Sequence, residues 1–190
     1  MSVWARRMTG AALVGGALVL GSLAPAGATA SAGSAVPGAR AAAGVERLSL
    51  RLASDPGQAA NVWEASQADH APVKQWPWGG GEGNELWEAR DSGAGHYRFA
   101  SVGSGKCLNV RNGGNEDNAR IIQYTCSTDY DNDQWRLVRK GNGYQVVAKS
   151  SGKCLNVRGG TGEGNELVQY TCSADGEDNE VWLPVWEPAP

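Results

Sequence analysis

Apolar and polar side chains alternate in short stretches through residues 97–138. Tyr97-Arg98-Phe99, Cys107 to Arg111, Arg120 to Cys126 and Gln134 to Val138 each read as a strand with one face turned to a core. Gly103, Gly105, Gly141 and Gly143 separate them as turn residues. The pattern predicts four strands in about one 47-residue block and no long amphipathic helix.

The block recurs. Gly105-Lys106-Cys107-Leu108-Asn109-Val110-Arg111 returns 47 residues later as Gly152-Lys153-Cys154-Leu155-Asn156-Val157-Arg158. Gln123-Tyr124-Thr125-Cys126 is matched by Gln169-Tyr170-Thr171-Cys172, and Asn132-x-x-Trp135 by Asn179-x-x-Trp182. A worn copy lies 48 residues upstream of the middle one, in Asn61-Val62, Gln75-Trp76-Pro77-Trp78 and Asn84-x-x-Trp87. Three repeats, at about 46–93, 94–140 and 141–186, therefore make roughly twelve strands. Four strands per unit also suits a propeller blade, but a propeller ring takes about four or more blades. Three units are expected to close as a threefold barrel capped by hairpins, which hides strand edges and gathers Trp87, Trp135 and Trp182 around one axis.

The worn repeat has Ala59 and Trp78 where the others have cysteine. Both half-cystines are missing together, as pairing within a repeat requires, so Cys107 is expected to bond Cys126 and Cys154 to bond Cys172. In the chain-entropy model such a loop contributes on the order of 3 kcal/mol.

Composition narrows the functional classes. The chain has 190 residues, 41% hydrophobic and 19% charged, enough for one or two small domains. With 27 Gly and 8 Trp but 1 Phe and 2 Met, its apolar material is Ala, Val, Leu and Trp. The net charge is −3 and no run of Lys and Arg occurs, so neither nucleic acid nor an anionic membrane surface is an expected partner. At the N-terminus, Arg6 and Arg7 precede an apolar stretch from Met8 to Leu23, and Ala28-Thr29-Ala30 supplies small residues for cleavage. Residues 1–30 read as a secretory signal peptide, because the stretch is broken by Gly15, Gly16 and Gly21 and is short for a membrane span of roughly 20 residues. Loss of Arg6 and Arg7 would leave 15 basic against 20 acidic residues, net −5. Residues 31–44, rich in Ala, Gly, Ser and Pro, read as a flexible linker, and 45–190 as the folded domain.

Catalytic chemistry finds little support. The two histidines, His70 and His96, do not recur between repeats, and all four cysteines are committed to bonds, so no oriented nucleophile and base is expected. Acidic residues fall at repeated, turn-rich positions, where solvation accounts for them. Asp129-Tyr130-Asp131-Asn132-Asp133 starts like a calcium loop but has Gln134 at its sixth position and Lys140 at its twelfth, so a solvated loop is expected. Asn115, Asn118, Gly79 to Gly81 and Gly159-Gly160 read as turns. An enzyme, a metal site and a cofactor are not expected.

Across about 140 residues the three blocks, with their paired cysteines, the aromatic two positions before the second cysteine and the closing tryptophan, resemble the ricin-type lectin domain. The likeness is to the bacterial versions appended to secreted glycanases. It implies a β-trefoil and binding of neutral carbohydrate, commonly galactosides, xylan or arabinan, in up to three shallow sites. The resemblance assigns Trp76, Tyr124 and Tyr170 as stacking platforms for the C–H face of a pyranose, and Asn84, Asn132 and Asn179 as amides for its hydroxyls. The chain departs from the family at two places. Asn61, Asn109 and Asn156 stand where the family has Asp, and Glu85, Asp133 and Glu180 stand in place of the Gln of its Q-x-W motif. A carboxylate displaced from one position to the other would restore the charged contact to sugar hydroxyls, and neutralising Asp133 would then abolish binding in the second repeat. That repeat retains the most complete set. The third has one residue fewer between Val157 and Gln169 than the second has between Val110 and Gln123, so a different pocket wall is expected. A secreted monomer with a carbohydrate partner follows. The alternative is a trefoil that binds no sugar and inhibits a protease or scaffolds a protein through a loop, for which the unmatched Trp63 and Trp186 would mark a surface.

Overall fold

A computed structural model describes residues 46–188; the expected signal peptide and linker lie outside the described residues. The first repeat contributes β1 (Arg47–Leu52), β2 (Gln58–Val62), β3 (Val73–Pro77) and β4 (Trp87–Gly93). The second contributes β5 (His96–Ser101), β6 (Cys107–Val110), β7 (Ile121–Tyr124) and β8 (Trp135–Lys140), and the third β9 (Gly143–Ala148), β10 (Cys154–Val157), β11 (Leu167–Tyr170) and β12 (Val181–Glu187). Twelve strands form as expected, with shorter bounds at two. β6 stops at Val110, where a 3-10 turn over Arg111–Gly113 takes over, and β7 spans only Ile121–Tyr124, so Cys126 lies beyond it.

Six strands close a ring. β1 pairs β4, β4 pairs β5, β5 pairs β8, β8 pairs β9, β9 pairs β12 and β12 returns to β1, all antiparallel. The other six form the hairpins β2–β3, β6–β7 and β10–β11. Single bridges Pro72↔Ile122, Arg120↔Val168 and Lys74↔Glu166 join the hairpins into a cap around the threefold axis. This is a β-trefoil, and its ring leaves no free barrel edge. No helix among the described residues is long and apolar enough to cross a membrane.

The core is the layer of Trp87, Trp135 and Trp182, all fully buried, packed with Leu48, Leu50, Leu52, Phe99, Leu108 and Leu155. A buried indole N–H needs an acceptor. Trp87 Nε1 donates to the Ala60 carbonyl (3.1 Å), Trp135 Nε1 to Leu108 (2.9 Å) and Trp182 Nε1 to Leu155 (3.0 Å), the same bond in each repeat. The expected disulfides Cys107–Cys126 and Cys154–Cys172 are formed and span 19 and 18 residues.

Polar contacts sew the repeats together. The buried Gln123 amide donates to the carbonyls of Ser66 (2.7 Å) and Ala68 (2.8 Å), and Gln169 repeats this on Gly114 (2.8 Å) and Glu116 (3.0 Å). Asp69 accepts from Lys106 (2.8 Å) and from the Thr125 N–H (2.8 Å), and Asp117 from Lys153 (2.7 Å) and the Thr171 N–H (2.8 Å). At the third seam the matching positions hold Gln58 and Pro77, which supply neither the ammonium nor the N–H, and the hairpins are joined there by Gln75, whose Oε1 accepts from the Gly162 N–H (2.9 Å) and whose backbone bonds Gly164 and Asn165 (2.8 Å each).

The lysine bonds, with the threonine bonds, hold both aspartates below their ordinary value of 3.8. A carboxyl whose folded value is depressed adds stability above its unfolded value and loses that contribution as pH falls through the folded value. Urea unfolding followed from pH 7 downward should therefore show midpoints falling below about pH 4. An Asp69→Asn, Asp117→Asn double variant should show a shallower fall, and an equal fall in both proteins would exclude these seams as its source.

Candidate functional site

Each repeat has a cavity at the same place, between its capping hairpin and the loop leading to its buried tryptophan. Their volumes are about 380 Å³ in repeat one, 720 Å³ in repeat two and 520 Å³ in repeat three.

The wall begins with a pair of asparagines. Asn61, Asn109 and Asn156 sit on β2, β6 and β10, each 6% exposed. Each presents its Oδ1 to the Nδ2 of the asparagine three residues before the tryptophan: Asn84 at 3.0 Å, Asn132 at 3.1 Å and Asn179 at 2.9 Å. The same Nδ2 also donates to the carbonyl of Val62 (3.2 Å), Val110 (2.9 Å) or Val157 (2.9 Å). Both of its hydrogens are thereby used. Left over for the cavity are the carbonyl oxygen of the second asparagine and the N–H groups of the first, an acceptor beside a donor. Where the family has an anionic acceptor, this chain offers a neutral donor.

The aromatic platforms close the opposite side. Tyr124 and Tyr170 end β7 and β11 and are 38% and 43% exposed, while Trp76 in β3 is half-buried. Each contacts or faces a residue of left-handed conformation from the preceding repeat. His70 (φ 66°) lies 4.9 Å from the Tyr124 ring, centroid to centroid. Asn118 (φ 67°) shares the third cavity with Tyr170, and Gly164 (φ 81°), where a Cβ would lie 3.7 Å from the Trp76 ring, takes the equivalent place in the first. The second and third cavities thus take lining residues from a neighbouring repeat, whereas the lining of the first comes from repeat one alone.

The three carboxylates are 1% exposed, not solvated as turn residues would be. Glu85 accepts from the N–H groups of Gly79 (2.9 Å), Gly81 (2.8 Å) and Glu82 (3.0 Å). Asp133 accepts from Arg98 Nε (2.9 Å) at one oxygen and from the Ser127 N–H (3.1 Å) at the other, and it does not line the second cavity. Glu180 accepts from Gln145 Nε2 (2.7 Å) and the Ser173 N–H (3.0 Å). Their bonds fold the loop that carries the asparagine and the tryptophan. Glu85 and Glu180 also reach the surface of their cavities.

The structure therefore brings Asn61, Trp76, Asn84 and Glu85 together, Asn109, Tyr124 and Asn132 together, and Asn156, Tyr170, Asn179 and Glu180 together. It adds residues that the repeat pattern alone did not supply. His70, Tyr130 and Asp131 line the second cavity, Trp63, Glu64 and Glu82 the first, and Asn118, Arg158 and Glu177 the third. Tyr130 and Asp131 fall in the run compared with a calcium loop, and no cluster of metal-ligating side chains exists among the described residues. The shorter third loop lacks the 3-10 turn seen over Trp63–Ala65 and Arg111–Gly113, and turns instead through Gly159 and Gly160. Of the unmatched tryptophans, Trp63 lines a cavity and Trp186 is an exposed residue of β12.

The ricin-type beta-trefoil lectin domain matches residues 49–182, and the chain belongs to this family of carbohydrate-binding domains. Among solved structures, it is 40% identical to the designed threefold-symmetric protein ThreeFoil, with a TM-score of 0.68 over 73% of this chain and 97% of that one. An exo-β-1,3-galactanase from Clostridium thermocellum is 29% identical at TM-score 0.68, covering 76% of this chain and 31% of the enzyme, so the likeness spans about a third of that protein. The Rhizoctonia solani agglutinin, 17% identical, shares the fold at TM-score 0.65 over 77% of this chain and 98% of its own. No curated protein matches the sequence.

If Asp133 anchors the loop, Asp133→Ala should lower stability by about 2 kcal/mol, because it leaves the Arg98 guanidinium and the Ser127 N–H without their acceptor. Denaturant unfolding measures this, and an unchanged midpoint would remove the anchoring role.

Proposed function

We propose that the chain is a secreted, monomeric lectin that holds neutral polysaccharide through aromatic stacking in up to three shallow sites. The observation that carries this reading is the recurrence, three times around one axis, of a ring beside a donor–acceptor amide pair. A pyranose presents an apolar C–H face and a rim of hydroxyls that both donate and accept, and the ring and the amides answer these two features. Asn109, Tyr124 and Asn132 are the proposed contacts in repeat two, Asn156, Tyr170 and Asn179 in repeat three, and Asn61, Trp76 and Asn84 in repeat one. Glu85, Asp133 and Glu180 act by holding the loop, and His70 supports the Tyr124 ring from the neighbouring repeat. The galactanase at 29% identity makes galactan a natural first ligand, beside xylan and arabinan. Two disulfides support the reading of residues 1–30 as an export signal, since such bonds persist in oxidising compartments.

One shallow site is expected to have a Kd near millimolar, about −4 kcal/mol. Two or three sites engaging one polymer add avidity of roughly 10²-fold or more. Insoluble galactan, xylan or arabinan should therefore retain the protein, and free galactose or xylose should release it. Tyr124→Ala with Tyr170→Ala, folded as judged by circular dichroism, should lose at least about tenfold in retention, the effect of ending simultaneous engagement. Retention of the double variant equal to that of the parent would contradict the platform assignment, and retention that free sugar cannot compete would favour a protein-binding loop.

A further inference from the structure

The three cavities share one frame, and the first departs from it in a consistent chemical direction. The residue that follows the strand is Arg111 in repeat two and Arg158 in repeat three, but Trp63 in repeat one. Trp63 stands edge-on to Trp76, ring centroids 5.1 Å apart and planes 75° apart, so this cavity has two indole walls, where the second has the phenols of Tyr124 and Tyr130 and the third that of Tyr170. The next two residues turn the chain in the left-handed region. Repeats two and three use Asn112-Gly113 and Gly159-Gly160 there, residue types that accept positive φ readily, whereas repeat one holds Glu64 at φ 55° and Ala65 at φ 49°. A side chain kept in a disfavoured conformation at the rim of a cavity is a reason to ask what it does.

Charge moves the same way. Glu64 and Glu82, beside the bonded Glu85, line the first cavity with no basic residue among its walls, while the third sets Arg158 against Glu177 and Glu180 and the second sets His70 against Asp131. Electron-rich indole faces and carboxylates both attract an ammonium group. One face of the Trp63 ring already carries a cation, Lys74 Nζ at 3.6 Å from its centroid, so Glu64 and Glu82 are the groups left for a ligand ammonium. The Asn61–Asn84 pair and the Trp76 face remain for the hydroxyls and C–H groups of a sugar.

We propose that the repeat-one cavity is a site for a hexosamine with a free amino group, as in de-acetylated glucosamine polymers. Glu64 and Glu82 receive the ammonium, and the Trp63–Trp76 corner receives the sugar ring. This rests on the carbohydrate-binding reading of the cavity and differs from it in assigning one of the three sites a cationic ligand.

Calorimetric titration of the full chain with a glucosamine trimer, an N-acetylglucosamine trimer and spermidine tests it. The glucosamine trimer should bind at least about tenfold more tightly than its acetylated counterpart, the scale of one charge-assisted contact. Glu64→Gln with Glu82→Gln should abolish that preference, and spermidine should not displace the trimer. Equal affinity for the two trimers, a preference that survives the double Gln variant, or displacement by spermidine would each overturn the proposal. Retention on neutral polymers is read separately. Its failure beside a Glu-dependent glucosamine signal would sink the neutral-polysaccharide reading alone, and its success beside no glucosamine binding would sink the hexosamine site alone.

Discussion

An indole buried at the centre of a barrel loses the water its N–H would otherwise bond, and leaving that donor unpaired costs about 1–3 kcal/mol. Here three indoles share one centre, and each finds its acceptor on the inner strand of its own hairpin. The strand that accepts the indole bond carries, one residue further on, the asparagine of the cavity wall: Ala60 before Asn61, Leu108 before Asn109, Leu155 before Asn156. The tryptophan's own chain carries, three residues earlier, the partner asparagine, which bonds that wall residue and the carbonyl after it. Core and cavity therefore hang on the same three-residue segment. Any shift that loosens the tryptophan also moves the amides that would face a ligand.

Around this frame the repeats have been free to differ. Repeats two and three tie their hairpins with disulfides, while in repeat one Trp78 occupies the half-cystine position and carries the Arg51 guanidinium 4.1 Å from its ring centroid. That contact ties the hairpin to β1, and the hairpin itself is held by its own ladder, with Ala59 opposite Trp76. The seams differ as well, with an aspartate, lysine and threonine cluster at two of them and bonds from Gln75 to Gly162, Gly164 and Asn165 at the third. Because the frame is met by backbone and amide bonds common to all three units, these changes alter the walls of a cavity without moving its floor.

Much of this was legible in the sequence because it repeats. A self-similar block exposes its own invariants, and the tryptophans, the asparagines before them and the cysteine pairs stand out against a variable background. The strand count and the closure by three units followed from that alone. What stayed hidden was direction and neighbourhood. Glu85, Asp133 and Glu180 have the composition of solvated turn acids, and only the fold shows them turned inward onto backbone N–H groups and Arg98. His70 matches nothing by residue type, since its counterparts are Asn118 and Gly164. What the three share is positive φ, a property of backbone and not of side-chain chemistry. Contacts between successive repeats are equally invisible in an alignment of repeats, which compares equivalent positions and not adjacent ones.

The central claim is that a ring and an amide pair held by each tryptophan form a carbohydrate site. Crystals soaked with an oligosaccharide of the polymer that retains the protein test it most directly. The account predicts a pyranose lying face-on against Tyr124 or Tyr170, its hydroxyls within hydrogen-bond distance of Asn109 and Asn132 or of Asn156 and Asn179. A sugar bound away from all three cavities, with these amides still facing solvent, would contradict it.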